Sequence, residues 1–170
     1  MAILSEPGKI LITGATHGIG KAAAELFCSR GWEVYGISGN GEDGRGAAME
    51  KTLPGFHYRV ADVSNEPEIS ALLGRIGQLD AAFNNAGTGI APQKLPEADI
   101  ARARRVIDVN LVGTLICMKY EIAHMPGSGV VVNNASLAAF KAATGADMSY
   151  SASKAGVLAL TAEAAANPEF

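Results

Sequence analysis

A chain of 170 residues is long enough for one domain with a substantial core, and its 48% hydrophobic and 18% charged content excludes a disordered chain, which could not hide so much apolar surface. The net charge is −3, and apart from Arg102, Arg104 and Arg105 the basic residues are scattered, so no basic stripe offers itself to nucleic acid. No run approaches the roughly 20 apolar residues that span a bilayer, and Met1–Lys9 lacks the basic start and long apolar stretch of a secretion signal, so a soluble, cytoplasmic protein is expected.

Short apolar runs alternate with longer stretches of helical period. Lys9–Thr13 reads as the first strand, and a helix follows over Gly18–Arg30, stopped by Gly31. A second strand covers Glu33–Ile37. Between Ser38 and Gly55 the chain is rich in charge and in glycine (Gly39, Gly41, Gly44, Gly46), which predicts a loop with a short helix near Ala47–Thr52. A third strand is placed at His57–Ala61. The next helix begins around Pro67, whose fixed φ suits a first turn, with Ser64 or Asn65 as its cap. A fourth strand, Leu79–Asn84, precedes one long helical segment, Ala98–Met125, with apolar residues dense enough to be buried on more than one side. The fifth strand is Gly129–Ala135. This alternation predicts an α/β fold: one doubly wound parallel sheet between two helical layers, spanning the whole chain as a single domain.

Cys28 and Cys117 fall inside helices with no metal-ligand spacing and read as buried thiols. His17, His57 and His124 are far apart and form no metal motif, so no metal site is expected.

Two patterns carry chemistry. Directly after the first strand comes Thr13-Gly14-Ala15-Thr16-His17-Gly18-Ile19-Gly20, followed at once by a helix-forming run. Glycines at 14, 18 and 20 permit a tight turn and let backbone N–H groups and a helix N-terminus approach a pyrophosphate. The plain alternative is a strand-to-helix bend. The second pattern, Tyr150-Ser151-Ala152-Ser153-Lys154, sets a phenol and an ammonium on one face of a helix. A nearby cation favours a phenolate, which makes tyrosine a better acid/base near neutrality.

With these come Asp62-Val63 after the third strand, Asn84-Asn85-Ala86-Gly87 after the fourth, Asn110 in the long helix and Ser136 after the fifth. In this order the motifs resemble the short-chain dehydrogenase/reductase family, a Rossmann-type fold, over nearly the whole chain. The resemblance implies an NAD(P)-dependent oxidoreductase that interconverts an alcohol and a carbonyl of a small-molecule substrate. Tyr150 would pass a proton to or from the substrate oxygen. Lys154 would lower the Tyr150 pKa and bind the nicotinamide ribose, Ser136 would hydrogen-bond the same oxygen, and Asn110 would hold a water in the proton relay. Gly14, Thr16, His17, Gly18, Ile19 and Gly20 would form the phosphate turn. Asp62 and Val63 would contact adenine, and Asn85, Ala86 and Gly87 would line the cofactor.

The plain alternatives are a turn cap for Asp62, a tie between strands for Asn84 and a satisfied buried amide for Asn110. Ser136 stands fourteen residues before Tyr150, one more than is usual in the family, and position 137 is Leu; a one-residue insertion in the loop Ala138–Met148 accounts for the difference. About 20 positions beyond the glycine turn, where NAD-binding relatives carry an acidic residue, stand Ser38 and Gly39, which offer neither a carboxylate to repel a 2′-phosphate nor an Arg to bind one. NADP is favoured over NAD.

A full family member is about half as long again. The resemblance therefore implies that the last strands and the segment covering the substrate are missing, and that Val130-Val131-Val132 forms an exposed apolar edge. It also keeps open a second function class, a non-catalytic nucleotide-binding or oligomerising module. An epimerase or dehydratase using the same Tyr/Lys pair fits the local motifs less well. The apolar helix Ala98–Met125 points to a homodimer or homotetramer.

Overall fold

The computed structural model describes residues 6–39, 43–125, 127, 129–141 and 147–167. The five apolar runs form one parallel sheet from β1 (Lys9–Thr13), β2 (Glu33–Ser38), β3 (Phe56–Val60), β4 (Ala81–Asn84) and β5 (Val130–Asn133), in the order β3-β2-β1-β4-β5. Helices α1 (Gly18–Ser29), α2 (Arg45–Thr52), α3 (Glu66–Ile76), α4 (Ile100–Ile107), α5 (Gly113–Ala123) and α6 (Met148–Ala166) connect and cover it.

The strands are apolar on both faces because both faces are covered. Along β1 the side chains alternate: Ile10 and Ile12 enter one core with Ala24, Trp32, Val34, Met49 and Phe56, while Leu11 enters the other with Ile37, Ile69, Leu73, Leu79 and Cys117. The expected three layers are therefore present. β5 is an edge strand, and its Val130 and Val132 are 44% and 52% exposed, as the sequence predicts for that run. No helix among the described residues is long and apolar enough to cross a membrane.

Three local expectations need correction. The segment Ala98–Met125 is not one regular helix: a 3₁₀ turn at Leu95–Glu97 precedes α4, and a π-helical turn, Asp108–Val112, separates α4 from α5. Asn65 is the first boundary residue of α3, yet its side chain makes no capping bond and instead donates to Glu68 Oε1 at 2.6 Å. Cys28 is half-buried rather than buried, whereas Cys117 is enclosed and its thiol is pushed well above its ordinary pKa by burial. Residues 142–146 of the loop Ala138–Met148, where a one-residue insertion is expected, lie outside the described residues, as does Gly41.

Candidate active site

The chain leaves β1 toward β2 and β3 on one side and returns to β4 and β5 on the other, so the strand order reverses between β1 and β4. Open α/β sheets bind ligands at such a point, beyond the carboxyl ends of the strands. A cleft of about 640 Å³ lies there.

One wall is the glycine turn. Gly14 has φ +67°, which an L side chain tolerates poorly, and α1 begins at Gly18. A Cβ on Gly20 would stand 2.2 Å from the Gly14 carbonyl oxygen and 2.6 Å from Asn85 Nδ2, so only glycine lets α1 seat this close to β1. His17 precedes the helix and makes no side-chain cap, so the first N–H groups of α1 remain available at the cleft. Thr16, His17, Gly18 and Ile19 all line it.

Ser38 also lines the cleft, with Oγ 2.6 Å from the Tyr58 hydroxyl. Two charged residues that sequence reasoning did not assign, Asp43 and Arg45, stand beside it. They pair at 2.6 Å, and hydrogen bonds from Arg45, with a smaller contribution from the charge of His17, hold the Asp43 carboxyl below its ordinary pKa.

From the end of β3, Asp62 and Val63 line the cleft as well. The Asp62 carboxylate accepts from Ser64 N–H at 3.0 Å, from Ser64 Oγ at 2.7 Å and from Arg105 Nη2 at 2.6 Å. Partial burial opposes its charge, but Ser64 and Arg105 outweigh that effect and hold its pKa below the ordinary value. Asp62 is thus both a turn cap and a lining residue. Arg105, noted in the sequence only as one of a small basic group, is the third charged lining residue that the sequence did not assign, after Asp43 and Arg45.

Asn85, Ala86 and Gly87 form the remaining wall. The Asn85 and Ala86 N–H groups both donate to Thr13 Oγ1 at 2.9 Å, and Asn85 Nδ2 donates to the Thr13 and Gly14 carbonyls at 3.1 and 3.2 Å. These bonds tie the glycine turn to β4.

Three of the four candidate catalytic residues, Asn110, Tyr150 and Lys154, form a second group next to the cleft; none of the four lines it. Gly87 and Thr88 join the two groups. A Cβ on Gly87 would lie 3.4 Å from Asn110 Oδ1 and 3.6 Å from Lys154 Nζ, and one on Gly89 would lie 3.7 Å from Tyr150 Cδ2. On α6, Lys154 Nζ sits 5.9 Å from the centroid of the Tyr150 ring and donates to the Asn134 carbonyl at 2.7 Å. Lys154 is 4% exposed, and burial lowers its pKa, so its charge is costly and its proton more easily given up.

Asn110 lies in the π turn and is fully buried. Its Oδ1 accepts from Thr88 N–H at 2.8 Å, and its Nδ2 donates to the Thr88 carbonyl at 2.9 Å and to Ser153 Oγ at 3.0 Å. Its own carbonyl accepts from Thr114 Oγ1 at 2.8 Å. The side chain therefore fastens the loop after β4 to α6, as a satisfied buried amide does. Asn110→Ala, which orphans the Thr88 N–H, is expected to cost about 2 kcal/mol of stability, measured by urea unfolding.

Ser136 ends the β5 segment in an extended conformation and accepts from Ala138 N–H at 3.1 Å. The short turn it starts, Leu137–Ala139, packs on α6, but Ser136 makes no hydrogen bond to Tyr150 among the described residues. Asn84, as expected of a strand tie, donates to Asn133 Oδ1 at 3.0 Å; it also donates to Glu121 Oε2 at 2.8 Å.

A parallel sheet of this order, with a glycine turn at its switch point, defines a Rossmann-type α/β protein. The chain belongs to the short chain dehydrogenase family, whose model matches residues 8–168. It is 37% identical to cis-4-hydroxycyclohexanecarboxylate dehydrogenase of Sinomonas cyclohexanicum over 91% of its own length and 65% of that protein's. It is 35% identical to 2,5-dichloro-2,5-cyclohexadiene-1,4-diol dehydrogenase of Sphingobium indicum over 93% of its own length and 65% of that protein's. Among solved structures, levodione reductase superposes with a TM-score of 0.84 at 30% identity, covering 95% of this chain and 66% of that one. The chain thus spans about 65% of the length of these two dehydrogenases.

Proposed function

We propose that the chain carries the cofactor site and the acid–base residues of an NAD(P)-dependent oxidoreductase that interconverts an alcohol and a carbonyl. The observation that carries this reading is the Tyr150–Lys154 pair, with Lys154 held by Asn134 and the neighbouring Ser153 by Asn110, at the edge of a cleft whose glycine turn a single Cβ would obstruct.

The residues fit a dinucleotide. The glycine turn and the N-terminus of α1 would hold the pyrophosphate, Val63 and the stem of Arg105 would flank the adenine, and Asn85–Gly87 would lie along the nicotinamide end. When bound, the nicotinamide accepts or supplies a hydride at the substrate carbon. Tyr150 gives a proton to, or takes one from, the substrate oxygen at its hydroxyl. Lys154, its ammonium fixed on the Asn134 carbonyl, places a positive charge beside that phenol and favours the phenolate. Ser136 orients the substrate oxygen, and Asn110 positions Ser153 and the Thr88 loop around the pair.

Arg45 supports the preference for NADP. It lines the same cleft as Ser38 at the end of β2, and Asp43 is its present partner. In Arg45→Ala, affinity for NADPH is expected to fall about tenfold while affinity for NADH changes less than twofold, on the order of one charge-assisted bond; titration calorimetry with both nucleotides measures it. Equal losses for the two would remove Arg45 from the 2′-phosphate site.

The test of the reaction is nucleotide-dependent turnover on a panel of alcohols and ketones, starting with six-membered ring alcohols of the kind named for the two dehydrogenases above. A second reading, a nucleotide-binding module without turnover, is favoured by the chain's coverage of about 65% of its relatives. Saturable nucleotide binding with no turnover on any substrate supports it. Exposed Val112 and Leu115 on the α4–α5 segment support self-association, which sedimentation tests.

A further inference from the structure

Glu121 on α5 is fully buried and makes no ion pair among the described residues. Its Oε2 accepts from Asn84 Nδ2 at 2.8 Å, whereas its Oε1 has no partner. Asn84 Oδ1 also lacks one. The orientation of the Asn84 amide is fixed, because its Nδ2 donates to both Glu121 Oε2 and Asn133 Oδ1. Two buried acceptors are thus orphaned on two groups that already share a hydrogen bond. Each orphan costs about 1–3 kcal/mol, and one added proton relieves both.

We propose that Glu121 is a neutral carboxylic acid whose Oε1 proton is donated to Asn84 Oδ1, closing a two-bond acid–amide ring that makes Glu121 a positioning residue for the ends of β4 and β5. The asparagines at those ends lead directly to the candidate site. The Asn84 carbonyl accepts from Asn134 N–H at 2.8 Å, the Asn134 carbonyl holds Lys154 Nζ, and Asn134 Nδ2 donates to Asn85 Oδ1 at 2.9 Å. Asn133 Nδ2 continues to Thr161 Oγ1 on α6 at 2.9 Å.

Among the described residues the surroundings offer Glu121 no compensating charge. On its own helix stand Cys117, itself kept neutral by burial, and His124, whose Nδ1 is turned to the Tyr120 carbonyl at 2.7 Å. Lys119 on the exposed side of α5 pairs with Glu66 of α3 at 2.7 Å. The two strands contribute only Asn84 and Asn133, and on α6 Lys154 is engaged by Asn134. Burial accordingly raises the Glu121 pKa to about 8, against the smaller opposing effect of the Asn84 bond. Between the ordinary glutamate range and pH 8 the folded chain holds one proton more than the unfolded chain. Folding equilibrium therefore weakens as pH rises, by up to about tenfold per pH unit, and the loss levels off above about 8. The inference depends on the proposed reaction only for the importance of Lys154, and its test needs neither nucleotide nor substrate.

Infrared spectra of the full 170-residue wild-type chain at pH 6.5, where carboxyls of ordinary pKa are ionised, should show the carbonyl band of one protonated carboxyl that fades through about pH 8. In Glu121→Gln, whose amide can make both bonds without titrating, the band should vanish. Its stability should also lose the wild-type decline between pH 5 and 8, and the Asn134 amide should keep its hydrogen-exchange protection above pH 8, where the wild type loses it. Absence of the band in the wild type overturns the proposal even without a variant. Parallel pH–stability curves for the two proteins, or equal Asn134 protection above pH 8, overturn it as well.

Discussion

Tyr150→Phe is expected to lower turnover by about 10²- to 10⁴-fold, the usual range for removing a general acid–base group, while affinity for NADPH changes by less than about twofold. The two effects separate because Tyr150 is not a lining residue of the 640 Å³ cleft, and its ring, next to Gly89 and Lys154, is retained in phenylalanine. Only the hydroxyl is lost, to which no group donates or accepts among the described residues. Steady-state rates with a competent alcohol, alongside calorimetric titration of NADPH, measure both quantities. Undiminished turnover contradicts the assigned role. A parallel loss of nucleotide affinity would instead make the tyrosine part of the nucleotide site.

Gly20→Val is expected to abolish nucleotide binding and to cost about 3 kcal/mol of stability, or roughly 6–12 °C in Tm for a domain of this size. Its Cβ alone would stand 2.2 Å from the Gly14 oxygen, so α1 must retreat from β1, and the Asn85 bonds to Thr13 and Gly14 must stretch or break. That displaces both the N–H groups of α1 and the β4 wall. Ala22→Gly is the control: residue 22 is exposed on α1 and does not line the cleft, and glycine costs a helix interior about 1 kcal/mol. It should lose about 1 kcal/mol at most and keep binding. Thermal unfolding of both variants with and without NADPH separates crowding at the turn from general damage to α1. Unchanged binding in Gly20→Val would show that the turn does not hold the nucleotide.

Much of this fold was legible in the sequence because parallel strands covered on both faces leave unbroken apolar runs, and because the connecting helices carry their own stops. Gly31, at φ +83°, ends α1 where predicted. The glycine turn was legible for a related reason: its residues are dictated by backbone geometry, which one sequence displays. Tyr150 and Lys154 could be paired because four residues make one helical turn.

What stayed hidden depends on partners distant in sequence. Asn110, in the π turn at Asp108–Val112, reaches both Thr88 and Ser153, and nothing in the spacing of Val106, Val109 and Leu111 announces that turn. Asp43, Arg45 and Arg105 join the cleft only after β2 and β3 are placed; an Arg soon after Ser38 in a glycine-rich loop was the available sign of the first pair. Glu121 reads as an ordinary charged helix residue until Asn84, 37 positions earlier, is set against it.

The central claim, that this chain forms a dinucleotide site at the β1–β4 switch point, is tested most directly by thermal unfolding of the 170-residue chain alone, with NADH and with NADPH. A ligand at 100 times its dissociation constant stabilises the folded state by about 2.7 kcal/mol, so a saturable rise of roughly 5–10 °C is predicted, larger for NADPH at equal concentration. No shift with either nucleotide at millimolar concentration would contradict it.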